Sequence, residues 1–219
     1  KTFEEIKSLF PESKSIFISS DYSKKSGDLN TILNEISKNK IDIFLGTQIV
    51  SKGHNFPYLK TVVVLNIDNL LNDFDFRSFE KSFQQIVQVS GRAGRKNFSG
   101  NVFIQTFQSE HPVLQLCKDY KFDSFYKMEL KNREKNNQPP FSSFISLIIT
   151  SLNNTKAQSW SKNVTNHIKK KYKKLIVLGP TPAVISMKNQ NYRYRILIKI
   201  KKELFLQRQF KNFLKKFKP

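Results

Sequence analysis

Apolar residues in the first half of the chain recur at the spacings of alternating helices and strands. Apolar positions three and four residues apart predict helices in the segments TFEEIKSLF, Gly27 to Lys38 and RSFEKSFQQIVQVS. Short apolar runs rich in β-branched residues predict strands at SIFIS, IDIFLGT, TVVVLN and NVFIQTF. The continuous runs IDIFLGT and TVVVLN are typical of strands covered on both faces. Residues 1–112 are therefore predicted to form an α/β domain with a mostly parallel sheet flanked by helices, whose opening strand the sequence does not supply.

The pattern changes after residue 112. Residues 113–139 are charged and helical in pattern, and the QPP sequence at 138–140 ends them because proline cannot continue a helix. Residues 140–219 then predict, in order, a strand from Phe144 to Ser151, a helix from Thr155 to Lys170, a strand at Val177 and Leu178, a turn at GPTP, a hairpin of AVISM with YRYRILIKI, and a helix from Glu203 to Phe217. This order is that of a small α+β domain of split βαβ type, truncated before its last strand. We therefore predict a domain over 1–112, a helical connector over 113–139 and a second domain over 140–219.

The net charge of +21 is concentrated in the second half of the chain. Residues 1–112 carry 14 Lys and Arg against 12 Asp and Glu, whereas residues 113–219 carry 24 against 5. Such an excess favours nucleic acid as a partner, although an AT-biased genome would also place many lysines on solvated faces. The sequence contains no apolar run of membrane-spanning length, and its first residues lack the apolar centre of a signal peptide. We expect a cytoplasmic protein without a membrane partner, and a segment of a longer chain.

Metal and thiol chemistry have little support in the sequence. The single Cys117 lies in the apolar run VLQLC, which is typical of a buried small hydrophobe rather than of a nucleophile. The three histidines, His54, His111 and His167, lack the spacing of metal ligands. No metal site is predicted in this segment.

The stretch QVSGRAGR, Gln88 to Arg95, follows an amphipathic helix and places two arginines three apart, each directly after a glycine. Planar guanidinium groups bind phosphate oxygens two at a time, so Arg92 and Arg95 together suit a triphosphate. Transfer of the terminal phosphoryl group of a triphosphate requires positive charge that interacts with this group more strongly in the transition state than in the ground state. Alternatively, these arginines only cap the helix or pair with carboxylates. The whole string Q-x-x-G-R-x-G-R favours phosphate binding.

The residues also carry a family resemblance. QVSGRAGR resembles motif VI of superfamily 2 helicases, and LGTQIVSKGHNFP, Leu45 to Pro57, resembles their motif V at the expected distance upstream. Further segments resemble, in order over nearly the whole chain, the PriA (primosomal protein N′) family of replication-restart helicases: LNIDNLLNDFDFR with the helix that follows it, EHPVLQL, QPPF, VLGPTPA and YRYRILIK. FDFR, QPPF and LGPTPA lie outside the motor motifs that helicases share. They therefore favour this family over another branching helicase of the superfamily.

The resemblance implies an ATP-dependent 3′ to 5′ DNA helicase that restarts stalled replication forks and helps to load the primosome. Residues 1–112 would be most of its second RecA-like motor lobe, and residues from about 140 its C-terminal domain. Arg95 would be the arginine finger, Arg92 the second γ-phosphate contact and Gln88 a coupling residue at the cleft. These three positions are the catalytic residues that the resemblance implies.

The same resemblance assigns residues that couple ATP to DNA. Gly46, Thr47 and Gln48 would hold the DNA backbone at the end of a strand, while Lys52 and Gly53 would link that contact to the nucleotide. Asn55 stands where many of these helicases have Asp. A further set matches the family's segment between the motifs: Asp68, Asp75, Arg77 and Glu80. Equally, the last three of these could be an ion-pair cluster that only braces the helix.

The chain departs from a complete helicase in three ways. It has no G-K-[ST] phosphate loop, no acidic Mg²⁺-binding motif and no cysteine-rich zinc module. The resemblance implies ATP and Mg²⁺ as cofactors of the full-length protein, and zinc in that protein but not in this segment. We expect the segment alone neither to hydrolyse ATP nor to unwind DNA. The alternative is a stand-alone DNA- or partner-binding remnant without ATPase activity.

The strand YRYRILIK predicts a basic surface. Side chains alternate along a strand, so Arg193, Arg195, Leu197 and Lys199 face one side, and Tyr192, Tyr194, Ile196 and Ile198 the other. With Lys188 in the adjacent tip KNQN, the basic side could bind single-stranded or forked DNA, or the acidic tail of a single-strand-binding protein, a partner implied by the resemblance together with primosome proteins. The tyrosines suit either the core or base stacking. KKKYKK, Lys169 to Lys174, is either a solvated helix end or a DNA contact.

Overall fold

The fold was obtained as a computed structural model that describes residues 1–18, 26–46, 56–72, 75–94, 99–201 and 204–216. The chain forms two compact units, Lys1–Phe125 and Tyr126–Pro219. The domain boundaries proposed from the sequence, at 112 and 139, stay predictions. In the described part of the chain, no helix is both long and apolar enough to cross a membrane.

The N-terminal unit alternates helices and strands as its sequence pattern predicts. Its elements are α1 (Thr2–Leu9), β1 (Ser15–Ile18), α2 (Ser26–Ser37), β2 (Ile43–Gly46), β3 (Thr61–Val64), α3 (Asp68–Leu71), α4 (Ser78–Ser90), β4 (Asn101–Ile104) and α5 (Pro112–Lys118). Helix α6 (Phe122–Lys135) begins in this unit and continues into the next. The predicted α/β class is confirmed.

The strands of this unit pair in parallel, as expected. β1 pairs with β2 and β3 with β4, and among the described residues the two pairs form separate sheets. The prediction that β3 is covered on both faces is wrong, whereas the three apolar residues of β2 are all half-buried. Burial alternates along β3, and Val63 is 56% exposed. An uninterrupted β-branched run fits a half-covered strand as well as a fully covered one, so the sequence does not tell the two apart.

Two sets of apolar side chains hold the N-terminal unit together. One lies between α2 and the first strand pair and contains Ile18, Leu33, Ile36, Ile41 and Phe56. The second joins α4 to the helices that follow β4, since the ring of Phe83 stacks on that of Phe125 with centroids 4.1 Å apart. Such aromatic pairs add about 0.5–1.5 kcal/mol beyond the area they bury. Helix α4 is therefore fixed in place, with its last residue, Ser90, adjoining the arginine-containing turn.

The C-terminal unit is a three-stranded antiparallel sheet with helices on one face. Its elements after α6 are β5 (Ser142–Ser151), α7 (Asn154–Lys171), β6 (Ile176–Lys188), β7 (Asn191–Lys201) and α8 (Leu204–Lys216). The strand order is β5-β7-β6, so the parallel strands β5 and β6 flank the antiparallel β7. This is the predicted split βαβ arrangement. Its core contains Ile168 of α7, Phe210 of α8, and Ile196, Ile198 and Ile200 of β7, none of them exposed.

One predicted feature of this unit is wrong. GPTP is not a turn between two strands, because β6 runs without interruption from Ile176 to Lys188. The segment is an irregularity in which the register against β7 shifts between Leu178 and Thr181. Gly179 has a φ of +93°, and a Cβ there would lie 2.8 Å from the carbonyl oxygen of Arg195. Gly and Pro therefore mark a bulge here, for which the sequence signal is the same as for a turn.

Candidate functional site

The predicted phosphate-binding turn follows directly from α4. The Gly91 amide caps the helix by donating to the carbonyl oxygen of Val87 at 3.0 Å, and the Arg92 amide donates to that of Val89 at 2.9 Å. Gly94 has a φ of +74°, a conformation that glycine adopts without steric cost. Its amide donates to the carbonyl oxygen of Leu59 at 3.0 Å. The turn is thus fixed at both ends, by α4 and by the segment that leads into β3.

Two of the three predicted catalytic residues lie in the described part of this site. Gln88 is exposed in the last turn of α4, and Arg92 follows four residues later, half-buried. Arg95 lies outside the described residues. Gln88 thus lies within the helix and Arg92 in the turn that follows it. Their proposed roles toward ATP stay predictions.

Motif V begins where the sequence predicts, at the end of a strand. Gly46 is the last residue of β2 and is exposed, and Thr47, Gln48, Lys52 and Gly53 lie outside the described residues. The chain is described again from Phe56, which is buried and packs on Phe44 of β2 with ring centroids 5.1 Å apart. Three residues later, Leu59 accepts the hydrogen bond from Gly94. The flank of motif V is therefore attached to the turn of motif VI.

Asp68 forms a local network that the sequence did not reveal. Its carboxylate accepts hydrogen bonds from the Thr106 hydroxyl at 2.7 Å, the Phe107 amide at 2.9 Å and the Gln108 side chain at 3.4 Å. The Thr106 bond, followed by that of the Phe107 amide, lowers the pKa of Asp68. The first residue of α3 is thereby joined to the segment after β4. No short-range sequence pattern indicates partners nearly 40 positions away.

Asp75 and Arg77, just before α4, form an ion pair, as one of the two interpretations of this segment predicts, and Lys81 within the helix joins them. Asp75 pairs with the guanidinium of Arg77 at 3.3 Å and with the ammonium of Lys81 at 2.5 Å. Burial raises the pKa of Asp75, but the hydrogen bonds from Lys81 and Arg77 outweigh it and hold that pKa well below its usual range. Glu80 accepts a hydrogen bond from Gln84, one turn along α4. The cluster braces the start of α4, and nothing in this geometry tests a further role in coupling.

The basic positions of β7 lie on the face of the sheet opposite to α7 and α8. Arg193, Arg195 and Lys199 alternate with the fully buried isoleucines of the core, as the period of two predicts. Arg193 donates to the carbonyl oxygen of Ile185 at 3.2 Å, and Lys199 to that of Asn136 at 3.3 Å. Lys188 is exposed at the end of β6, beside the tip that joins it to β7. Two of the four predicted cations thus also hold the backbone around them.

The tyrosines of β7 divide between the two interpretations. Tyr194 is half-buried and donates its hydroxyl to the side chain of Asn154 at 3.0 Å, which favours a structural role. Tyr192 is exposed at the outer end of the strand. Of the two, only Tyr192 has the exposure that base stacking requires.

Thiol and metal chemistry find little support in the structure. Cys117 is buried in α5, and burial raises the pKa of its thiol to about 12, so it stays protonated and unreactive. His111 caps α5 by accepting from the Val113 amide at 3.2 Å, and burial lowers the pKa of its imidazole. Over the described ranges, no group of three or more His, Cys, Asp and Glu side chains could hold a metal ion.

An exposed apolar group at the outer end of the C-terminal sheet was missed by sequence reasoning. The pattern of AVISM predicts an ordinary strand, yet Val184 is 85% exposed and Ile185 59%. The signal that could have indicated this is the absence of alternating polar residues in an edge strand.

The chain matches two family models in succession. The model of the helicase conserved C-terminal domain matches residues 1–97, and that of the primosomal protein N C-terminal domain matches residues 134–218. Neither of these two family models covers residues 98–133. The two matches thus fall on the segment that resembles the helicase motifs and on the unit with the split βαβ fold.

Relatives named replication restart protein PriA align with nearly the whole chain. The relative from Rickettsia typhi is 37% identical over 211 residues, that from Bacillus subtilis 33% over 216, and that from Haemophilus influenzae 31% over 211. These alignments cover 96%, 98% and 96% of this chain, but only 32%, 27% and 29% of the relatives. The chain thus spans about a third of their length. It belongs to the PriA family of replication restart proteins.

Proposed function

We propose that this chain is the C-terminal part of an ATP-dependent 3′ to 5′ DNA helicase that restarts stalled replication forks and helps to load the primosome. The observation that carries the proposal is the arginine-containing turn after α4. It is held by Val87 and Leu59, and so it offers a rigid support for a phosphate contact. An arginine that acts across a cleft requires such a support, because a small displacement of the charge weakens its effect on the transition state.

The residues of this segment suit one side of an ATP site. Gln88 and Arg92 occupy the same helix end, and Arg95 follows within the motif. A guanidinium fork matches the oxygens of a γ-phosphate, and ATP with Mg²⁺ supplies the phosphoryl group whose transfer drives the motor. The sequence contains no phosphate loop, so the opposite side of the site would come from a first motor lobe. Zinc does not fit the described residues, and no step depends on it.

The DNA contact of this lobe is proposed for motif V. Gly46 ends a parallel strand, and ligands of open α/β sheets bind at such carboxyl ends. Thr47 and Gln48 follow directly and offer a hydroxyl and an amide to a phosphate. In sequence, Lys52 and Gly53 stand between these residues and Leu59, whose carbonyl oxygen accepts a hydrogen bond from the Gly94 amide. Movement of the DNA contact would thereby reach the nucleotide contact, and Asp68 would support this link by fixing the end of β3 to that of β4.

The C-terminal unit is proposed to hold single-stranded and forked DNA. Residues 140–219 contain 18 Lys and Arg and one acidic residue, Glu203. Arg195 and Lys188 form no ion pair with any residue that the structure describes. Their charge is therefore available to an anionic partner, either DNA or the acidic tail of a single-strand-binding protein. This function belongs in the bacterial cytoplasm, on the nucleoid, with primosome proteins as further partners.

ATP turnover tests the proposed function in the polypeptide as its own cells produce it. With single-stranded DNA present, we expect Arg95→Ala to lower phosphate release by about a thousand-fold or more. Lys40→Ala is the control, because this cation of the same unit is exposed outside the proposed site and its loss is expected to leave turnover nearly unchanged. Normal turnover by Arg95→Ala would refute the assignment. The 219-residue segment alone is expected to release no phosphate.

The length of the natural polypeptide separates this function from the stand-alone alternative. An antibody to this segment would recover the polypeptide for an intact-mass measurement. A mass far above 25.6 kDa, with a phosphate loop in the added sequence, supports the helicase. A mass of 25.6 kDa leaves a DNA- or partner-binding remnant, whose basic C-terminal unit would be its working part.

A further inference from the structure

The outer end of the C-terminal sheet carries a group of exposed apolar side chains. We call it the apolar tip, and it consists of Leu152, Val184, Ile185, Met187 and Tyr192. The register brings them to one end, because Tyr192 of β7 lies opposite both Met187 of β6 and Ser151, the last residue of β5. Leu152 follows directly and is 70% exposed. Exposed apolar groups that gather in one place mark interaction sites more often than single ones do.

The centre of the tip is a bulge rather than a frayed end. Between the pairs Pro182 with Tyr194 and Met187 with Tyr192, five steps along β6 match two along β7. Ala183 at the base of the bulge is buried, whereas the two residues after it point into solvent. The guanidinium of Arg193 donates to the carbonyl oxygen of Ile185 at 3.2 Å and so holds the bulge against β7. Val184 and Ile185 therefore project from a supported backbone.

The surroundings of the apolar tip are basic. Lys188 is exposed next to Met187, and Arg195 lies two residues from Arg193 on the same face of the sheet. None of these three cations forms a salt bridge with any residue described in the structure. The nearest acidic residue in sequence, Glu203, lies beyond the end of β7. A partner of this end must therefore offer an apolar surface framed by negative charge.

We propose that the apolar tip binds the terminal base pair of a DNA duplex where it opens into single strands. This inference rests on the proposed helicase function and adds a contact to it. A terminal base pair presents a flat apolar face, on which aliphatic side chains pack as they do in proteins that wedge between base steps. Val184 and Ile185 form this wedge. Lys188 and Arg195 bind the phosphates of the strands on either side.

Charge decides between this partner and an ordinary protein surface. A protein partner for such an end would have to carry clustered carboxylates around an apolar centre. Every duplex end combines an apolar centre with surrounding negative charge, since each strand carries one phosphate per nucleotide around the stacked bases. Such a contact is also specific for an open duplex end, because the base faces of a closed duplex are hidden by stacking. Only DNA with an open end offers the apolar contact.

Three DNA probes of shared sequence test the inference on the 219-residue chain by fluorescence anisotropy at fixed salt. The first is a fork whose far end is closed by a loop, the second a duplex closed at both ends, and the third the single strand of one arm. We expect Val184→Ser with Ile185→Ser to weaken binding of the fork about tenfold, since two aliphatic contacts are lost. Its affinity for the closed duplex and for the single strand stays unchanged.

Two further variants keep the test decisive. Val184→Leu with Ile185→Leu preserves the apolar surface and is expected to retain fork binding. Ile176→Ser, on the same strand but at its opposite end and 48% exposed, removes a comparable aliphatic group and is expected to change nothing. Thermal unfolding checks that the serine variant folds, as the exposure of both side chains predicts.

The results that overturn the proposal are distinct. Unchanged fork binding by the serine variant would assign the apolar tip to a protein surface, and an equal loss on all three probes or in Ile176→Ser would show a non-specific effect. Either result leaves the ATP-turnover test of the helicase untouched. If the unchanged chain bound none of the probes, both this proposal and the proposed DNA binding of the C-terminal unit would be refuted.

Discussion

At the scale of single residues, Asp68 shows how a residue implied by resemblance obtains a physical role. Its carboxylate is occupied by three donors from the segment after β4. Such charge-assisted bonds are stronger than neutral ones, and they hold two loops at the carboxyl ends of β3 and β4 together. Asp68 is therefore a positioning residue for this edge of the unit, whatever it contributes to coupling.

This network makes stability depend on pH in a defined direction. The folded-state pKa of Asp68 lies below 3.8, so Asp68 takes up its proton at a lower pH in the native protein than in the unfolded chain. The stabilisation is complete above pH 3.8 and is lost as the pH falls through the lower folded-state pKa. In Thr106→Val, which removes the strongest donor, we expect the pKa of Asp68 to rise toward 3.8 in a carboxyl NMR titration. Ser109→Ala, whose hydroxyl serves Glu110 instead, should leave it unchanged.

The residues of this network also show where sequence reasoning ends. The arginine-containing motif is contiguous, so Gln88 and Arg92 could be placed at the end of a helix from spacing alone. The partners of Asp68 are separated from it by 38 to 40 positions, and only the pairing of β3 with β4 brings them close. A single sequence carries no signal for such a contact.

At the scale of elements, local periodicity predicts what is decided locally. The bounds of α4 and α7 differ little from the predicted ones, because both helices have apolar stripes at helical spacing and α7 begins with a capping Asn153. Which face of β3 is covered, and whether the chain turns or bulges within β6, depend instead on the elements that pack against these strands. The run TVVVLN does not specify which face is covered, and GPTP suits a turn and a bulge equally.

The bulge in β6 yields a stability prediction. Gly179→Ala places a Cβ 2.8 Å from the Arg195 carbonyl oxygen, at a φ of +93° that other residues rarely adopt. We expect the free energy of unfolding in urea to fall by about 1–3 kcal/mol. Gly91→Ala is the control, since its Cβ would meet only ordinary contacts, the nearest at 3.5 Å. Equal stability of the two variants would mean that β6 relaxes around the new methyl group.

At the scale of the whole molecule, charge divides the chain more sharply than fold class does. Residues 1–112 are nearly balanced, and almost the whole net charge lies beyond them. The N-terminal unit also uses its charges internally, as in the pairs of Asp75 with Arg77 and Lys81. The C-terminal sheet carries Arg193, Arg195 and Lys199, each half-buried, on the face opposite to its helices. This division suits a motor lobe that works through a few placed side chains, joined to a unit that holds a polyanion.

The dependence of DNA binding on salt tests this division. Each phosphate contact releases counterions, so log K falls with log salt by about 0.7 per contact for a single strand. Arg193→Ala with Arg195→Ala should weaken binding of single-stranded DNA and flatten that slope by about 1.4, twice the value for one contact. Because Arg193 also holds the bulge through Ile185, Arg195→Ala alone is measured beside it and should flatten the slope by about half as much.

The control removes the same charge from the other unit. Lys38 and Lys40 are exposed just after the end of α2, and their double change to Ala lowers the net charge as much as the arginine variant does. If the basic face of β7 contacts phosphates, this control keeps the original slope, because distant charges are screened at moderate salt. If the control flattens the slope equally, only total charge matters. A normal slope in the arginine variant would instead assign the phosphate contacts to the exposed lysines from Lys169 to Lys174, at and just after the end of α7.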